Sequence, residues 1–201
     1  PKTPRRQRQM CIRDRVKPSE ITPATANIIK EGVEKYFDTS ELAVITGGPS
    51  VGEQFSRLNL DHLLFIGSNR VAKKVAAQAA KNLVPTTLEL GGKSPTIIGT
   101  NANMALAAER ILFSKTLNAG QICLSPDYIF VKKDEEKNLI SELQKAYSKF
   151  FPEPNSHNQT SMVNKHHLKR RNSYLLDATK KGATVESLGK NDDLDKNMIS
   201  T

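Results

Sequence analysis

The sequence has no tryptophan, and aromatic residues fill only 5% of its 201 positions. It has two cysteines, Cys11 and Cys123, with no Cys-x-x-Cys pair between them. That excludes a disulfide framework and gives no zinc-site spacing. His166 and His167 are adjacent, so on a helix they cannot both face one site. Long apolar runs are also missing. Nothing approaches the roughly 20 residues a membrane-spanning helix needs, and no apolar stretch comes after the basic residues at the start, as a secretory signal would require. A soluble cytoplasmic protein is the expectation. Internal repeats and low-complexity segments are absent.

A globular composition is present, with 37% apolar residues and a net charge of +9. The charge is uneven. Lys2, Arg5, Arg6, Arg8, Arg13 and Arg15 against Asp14 supply +5 of it, so residues 1–15 read as a solvated basic tail, foreign to the rest of the chain or disordered. The remaining +4 is spread thinly, with one denser patch at Lys165, Lys169, Arg170 and Arg171. No aromatic residues interleave with these cations, which argues against a nucleic-acid surface.

Behind the tail, short apolar runs alternate with helical stretches, which predicts an α/β fold with a parallel sheet of βαβ units. Thr22-Pro23 reads as a helix start, with Ile28, Ile29, Val33 and Phe37 at helical spacing. Short buried strands are expected at Leu42–Ile45 and Leu63–Ile66, and further strands at Thr86–Leu90, Pro95–Ile98 and Tyr128–Val131. Ser50 is expected to cap a short helix. Further helices are expected at Val71–Lys81, Asn103–Asn118, Glu135–Tyr147 and Lys165–Lys181, with a strand beginning at Ala183–Val185. Met10 to Arg15 is too charged for a buried strand.

Two stretches carry chemistry. In Leu88-Glu89-Leu90-Gly91-Gly92-Lys93-Ser94-Pro95 a carboxylate ends a strand, and strand ends in parallel sheets are where sites form. The two glycines let another backbone, or a flat cofactor ring, approach closely. Taken alone, Glu89 is more often a solvated residue before a turn. In Asn118-Ala119-Gly120-Gln121-Ile122-Cys123-Leu124-Ser125-Pro126-Asp127 a thiol comes after a helix that breaks at Gly120. Backbone N–H groups in such a loop would favour thiolate and stabilise an oxyanion. Taken alone, one cysteine is more often inert packing.

Together these stretches resemble the Glu motif and the nucleophile motif of the aldehyde dehydrogenase superfamily. Lys17-Pro18-Ser19-Glu20 is similar to that family's adenosine-ribose motif, and Phe65-Ile66-Gly67-Ser68 to its phosphate loop, with Ile66 in place of the commoner Thr. All four stand in the family's order. Asp127-Tyr128 and the run Asp61 to Phe65 lean toward the branch with fatty-aldehyde and coniferyl-aldehyde dehydrogenases.

The resemblance implies a partial Rossmann-like NAD-binding domain over 16–91 and part of a catalytic α/β domain over 92–201. It implies that Cys123 attacks an aldehyde carbonyl and that Glu89 is the general base for thioester hydrolysis. It places Lys17, Ser19 and Glu20 at the cofactor ribose, Gly52, Phe65, Gly67 and Ser68 around the pyrophosphate, and Leu90 and Gly91 near the nicotinamide. Glu20 favours NAD by repelling a 2′-phosphate, although NADP is also used in this branch. A Pro-Trp-Asn-like segment, whose Asn completes the oxyanion hole, and a Glu-x-Phe-Gly-Pro motif are both missing. The chain is therefore expected to be a truncated part of a homodimeric enzyme and poorly active alone. The competing expectation is a nucleotide-binding module in which Cys123 is idle.

Overall fold

The computed structural model describes residues 13–152 and 160–188. Most of the basic tail, with Cys11, and the chain end at 197–201 lie outside the described residues. The described chain divides into two units, the first ending at Leu90 and the second starting at Gly91.

In the first unit Pro23 fixes the backbone at the start of helix α1 (Pro23–Tyr36), and Thr22 is its N-cap residue without a side-chain capping bond. Strand β1 (Asp14–Val16) precedes this helix, and β2 (Leu42–Val44) comes after it in parallel register, Asp14 opposite Leu42 and Val16 opposite Val44. The charged segment forms a short strand, and as expected of its charge none of that strand is buried. Pairing is a backbone matter, met by bonds such as Asp14 N–H to Glu41 O at 2.8 Å, while the Asp14 side chain stays in water.

Helix α2 (Pro49–Phe55) is capped by Gly48, with Gly52 N–H donating to the Gly48 carbonyl, so Ser50 sits inside the first turn and is not the cap expected. Strands β3 (Leu63–Gly67) and β4 (Thr86–Leu90) pair in parallel around helix α3 (Asn69–Ala79). Ser68 caps α3 by accepting from the Val71 N–H. The core of the unit is Leu63, Ala79 and Val84, with Phe55, Leu60 and Val75 packed against them.

β3 is not buried throughout, as its apolar run had suggested. Leu63 is buried, whereas Leu64 and Ile66 are 57% and 75% exposed. Successive strand residues point to opposite faces, and helix α3 covers only one of them.

The second unit repeats the arrangement. β5 (Ser94–Ile97) and β6 (Pro126–Phe130) pair in parallel around helix α4 (Met104–Thr116), which Asn103 caps through its side chain to the Leu106 N–H at 3.1 Å. Ser94 faces Pro126 and Pro95 faces Tyr128, so Asp127 is an extra residue in β6, a bulge. Helix α5 (Glu136–Phe150) packs on α4. Small Ala108 and Ala146 are buried there beside Leu112 and Leu139, and Glu109 pairs with Lys149 at 2.6 Å.

Helix α6 (Lys165–Lys180) is next in the chain, capped by Asn164. No strand begins at Ala183. Its N–H closes the end of α6 by donating to the Ala178 carbonyl, and Gly182, at φ 88°, donates to Thr179 O. This left-handed cap consumes the donors a strand would use. The result is three successive βαβ units, the parallel α/β architecture the pattern predicts. Among the described residues the strands form three separate pairs, not one continuous sheet.

Candidate active site

In the first unit the cofactor-type residues form two small groups. Lys17 Nζ donates to Glu20 Oε2 and to the Pro18 carbonyl, both at 3.0 Å. The Lys17 stem lies against Gly52, where an added Cβ would meet Lys17 Cε at 3.4 Å. Glu20 is held below its ordinary pKa first by its own backbone N–H and then by the Lys17 ammonium. Ser19 Oγ accepts from the Ile21 N–H at 3.2 Å, which shapes this turn. An ammonium has three protons, and these bonds use two of them.

The second group stands at the start of α3. The Phe65 ring lies against Gly67, where a Cβ would come within 2.6 Å of it. Ser68 is exposed at the helix N-terminus, where unsatisfied N–H groups and the helix dipole attract anions. Glu89 pairs in register with Ile66 and Thr87 with Leu64, so all four share the sheet face opposite buried Leu63. Glu89 is exposed, and Leu90, opposite Gly67, is half-buried.

In the second unit Cys123 is exposed. Helix α4 ends at Thr116, two residues before the expected end, and gives way to a tight turn over Leu117–Gly120. Asn118, Ala119 and Gly120 have φ of 51°, 53° and 71°. The left-handed region costs a residue with a Cβ roughly 1–2 kcal/mol, and among these three Ala119 has no local side-chain compensation. The turn is closed by Gln121 N–H to Asn118 O at 3.0 Å.

The Gln121 side chain reaches further. Its amide group donates to Asn118 O at 3.0 Å and to Ser161 O at 3.1 Å, and its oxygen accepts from the Val163 N–H at 2.9 Å.

The segment starting at Gly91 backs this loop. Gly92 lies so close to the Cys123 carbonyl oxygen that no Cβ fits between them, whereas a methyl on Gly91 would meet nothing. Lys93 pairs with the bulged Asp127 at 2.9 Å. Gly92, Lys93 and Ser94 thus meet Cys123, Asp127 and Pro126 in turn. The Ser125 hydroxyl beneath the loop is buried without a hydrogen-bond partner.

Sequence reasoning singled out Cys123 and the two glycines but gave Gln121, Lys93 and Asp127 no role. Their partners lie 34 to 42 residues away in the chain, where no periodicity reaches. Among the described residues no group of three or more His, Cys, Asp or Glu side chains could hold a metal, and no helix is long and apolar enough to cross a membrane.

Comparison with known proteins gives this arrangement a context. The model of the aldehyde dehydrogenase family matches residues 15–200. A probable coniferyl aldehyde dehydrogenase of Caulobacter vibrioides is 48% identical over 85% of this chain and 35% of its own length. The fold is similar to a substrate-bound Staphylococcus aureus AldH, with a TM-score of 0.82 and 37% identity over 94% of this chain and 41% of that one. It is also similar to a Mycobacterium tuberculosis aldehyde dehydrogenase complexed with NAD+, with a TM-score of 0.77 and 28% identity over 90% of this chain and 39% of that one. The chain spans about a third of the length of the curated relative it matches. With the family model covering all but the first residues of the chain and its extreme end, this protein belongs to the aldehyde dehydrogenase family.

Proposed function

We propose that this chain carries the nucleophile and the general base of an NAD(P)-dependent aldehyde oxidation, Cys123 and Glu89. One observation carries the reading furthest: an exposed cysteine three residues beyond a strained turn, its carbonyl abutted by Gly92, which itself comes three residues after Glu89 in the chain. Strained, over-determined backbone is typical of sites where geometry matters for chemistry.

The Cys123 thiolate adds to the aldehyde carbonyl and gives a thiohemiacetal. A dinucleotide held by Lys17, Glu20 and Ser68 would supply the hydride acceptor. Once hydride has left, an acyl thioester remains on Cys123. Glu89 removes a proton from water, the hydroxide displaces the thiolate, and the carboxylic acid leaves.

The cofactor residues suit a dinucleotide. The Lys17–Glu20 pair offers a donor and an acceptor side by side, which matches the vicinal hydroxyls of a ribose. Ser68 and the first turn of α3 suit a phosphate. Ionised Glu20 would repel a ribose 2′-phosphate, which favours NAD over NADP. The substrate is an aldehyde, and the name of the Caulobacter relative points to aromatic aldehydes such as coniferyl aldehyde as the first to test.

The test is NADH formation by the full-length protein. Cys123→Ser is expected to lower turnover by roughly a millionfold, the scale for loss of a nucleophile. Glu89→Gln is expected to keep a stoichiometric NADH burst and lose about a hundredfold or more in steady-state rate, since only thioester hydrolysis needs the base. Full activity in Cys123→Ser would overturn the assignment.

A further inference from the structure

Gln121 lies two residues before Cys123, and its side chain does something unusual for a loop residue. Within Ser161–Val163, the Ser161 carbonyl and the Val163 N–H are two residues apart on one edge of the backbone. The Gln121 amide donates to the first at 3.1 Å and accepts from the second at 2.9 Å. That is the pair of bonds a neighbouring strand would make, supplied here by a side chain. The same amide nitrogen also donates to Asn118 O at 3.0 Å, inside the turn. All three bonds require the nitrogen and oxygen in the same orientation, so the network defines the amide without ambiguity.

The clamp matters because of what it holds. Asn118, Ala119 and Gly120 are all left-handed, an arrangement that relaxes unless its surroundings fix it. Apart from those of the Gln121 side chain, the turn's bonds are local: Gln121 N–H to Asn118 O, and the Asn118 side-chain amide to Gln121 O at 3.3 Å. The Gln121 side chain fastens the turn to a segment 40 residues further along.

We propose that Gln121 is the positioning residue for Cys123. By pairing with Ser161 and Val163 as a surrogate strand, it holds the strained turn that presents the thiol. The proposal rests on the reading of Cys123 as nucleophile, but it is testable without turnover.

Gln121→Glu is the informative variant because it is isosteric. Ionised, its carboxylate would face two carbonyl oxygens, those of Asn118 and Ser161, and the clamp opens. Protonated, it donates to one of them again and still accepts from Val163. The full chain carrying Gln121→Glu is expected to lose hydrogen-exchange protection at Val163 by about tenfold or more at neutral pH and to regain it on acidification, each value corrected for intrinsic exchange. The iodoacetamide alkylation rate of Cys123, measured relative to Cys11, should depart from wild type over the same pH range. Gln121→Ala, which has no titrating group, should lose protection at every pH.

In full-length protein Gln121→Glu should lower kcat by about a hundredfold at neutral pH, the cost of a small misplacement, with KM for the aldehyde nearly unchanged. Unchanged Val163 protection and unchanged Cys123 alkylation in both variants would overturn the proposal. If both change while Cys123→Ser still turns over, the clamp stands and the nucleophile reading falls.

Discussion

At Gly92 one hydrogen in place of a side chain decides whether the loop fits. A Cβ there would be driven into the Cys123 carbonyl, which is backbone and cannot swing aside. Overpacking of this kind costs about 1–3 kcal/mol, and a displaced nucleophile costs about a hundredfold in rate. Gly92→Ala is thus expected to lower both the melting temperature and kcat in full-length protein, while Gly91→Ala, with open space around it, should leave the melting temperature within a degree or two. A Gly92→Ala protein with wild-type stability and kcat would show that the loop yields freely. The sequence reading allowed for a close backbone approach at these glycines. What approaches Gly92, the Cys123 carbonyl, depends on how β5 and β6 lie side by side, and no local pattern encodes that.

Among the elements, α4 is the one whose far end becomes the turn before Cys123. Its N-terminus depends on Asn103 Oδ1 accepting from the Leu106 N–H. Asn103→Ala should remove about 1 kcal/mol of stability, read from chemical denaturation, with no change in the exposure of Cys123; a loss of several kcal/mol would mean the cap does more than end a helix. Helices of this kind were legible because caps, Pro at the first position and 3.6-residue spacing are local. The strands were legible in position but not in burial, since an apolar run does not say which face a helix will cover, as Leu64 and Ile66 show. Two errors came from competing local chemistry. Gly48 took the cap expected of Ser50, and Gly182 turned Ala183 back onto α6 instead of into a strand.

Among the described residues, both units carry exposed apolar side chains. Leu64, Ile66, Ile97 and Leu124 all face outward, and parallel sheets in this architecture are ordinarily covered on both sides. The chain also spans about a third of its curated relative. We expect residues 1–201 alone to bind an apolar dye such as ANS and to form NADH slowly from a medium-chain or aromatic aldehyde; turnover at ordinary enzyme rates would refute this. The order of the strand pairs has a different consequence. Each pair closes within one uninterrupted stretch, 14–44, 63–90 and 94–130. During translation, at roughly 5–20 residues per second, every pair therefore has all its parts outside the ribosome within seconds of its first strand emerging. A pause that leaves residue 44, 90 or 130 just clear of the ribosome would fall at a seam of the nascent chain, whereas one that stops emergence within 14–44, 63–90 or 94–130 would leave one strand waiting for its mate.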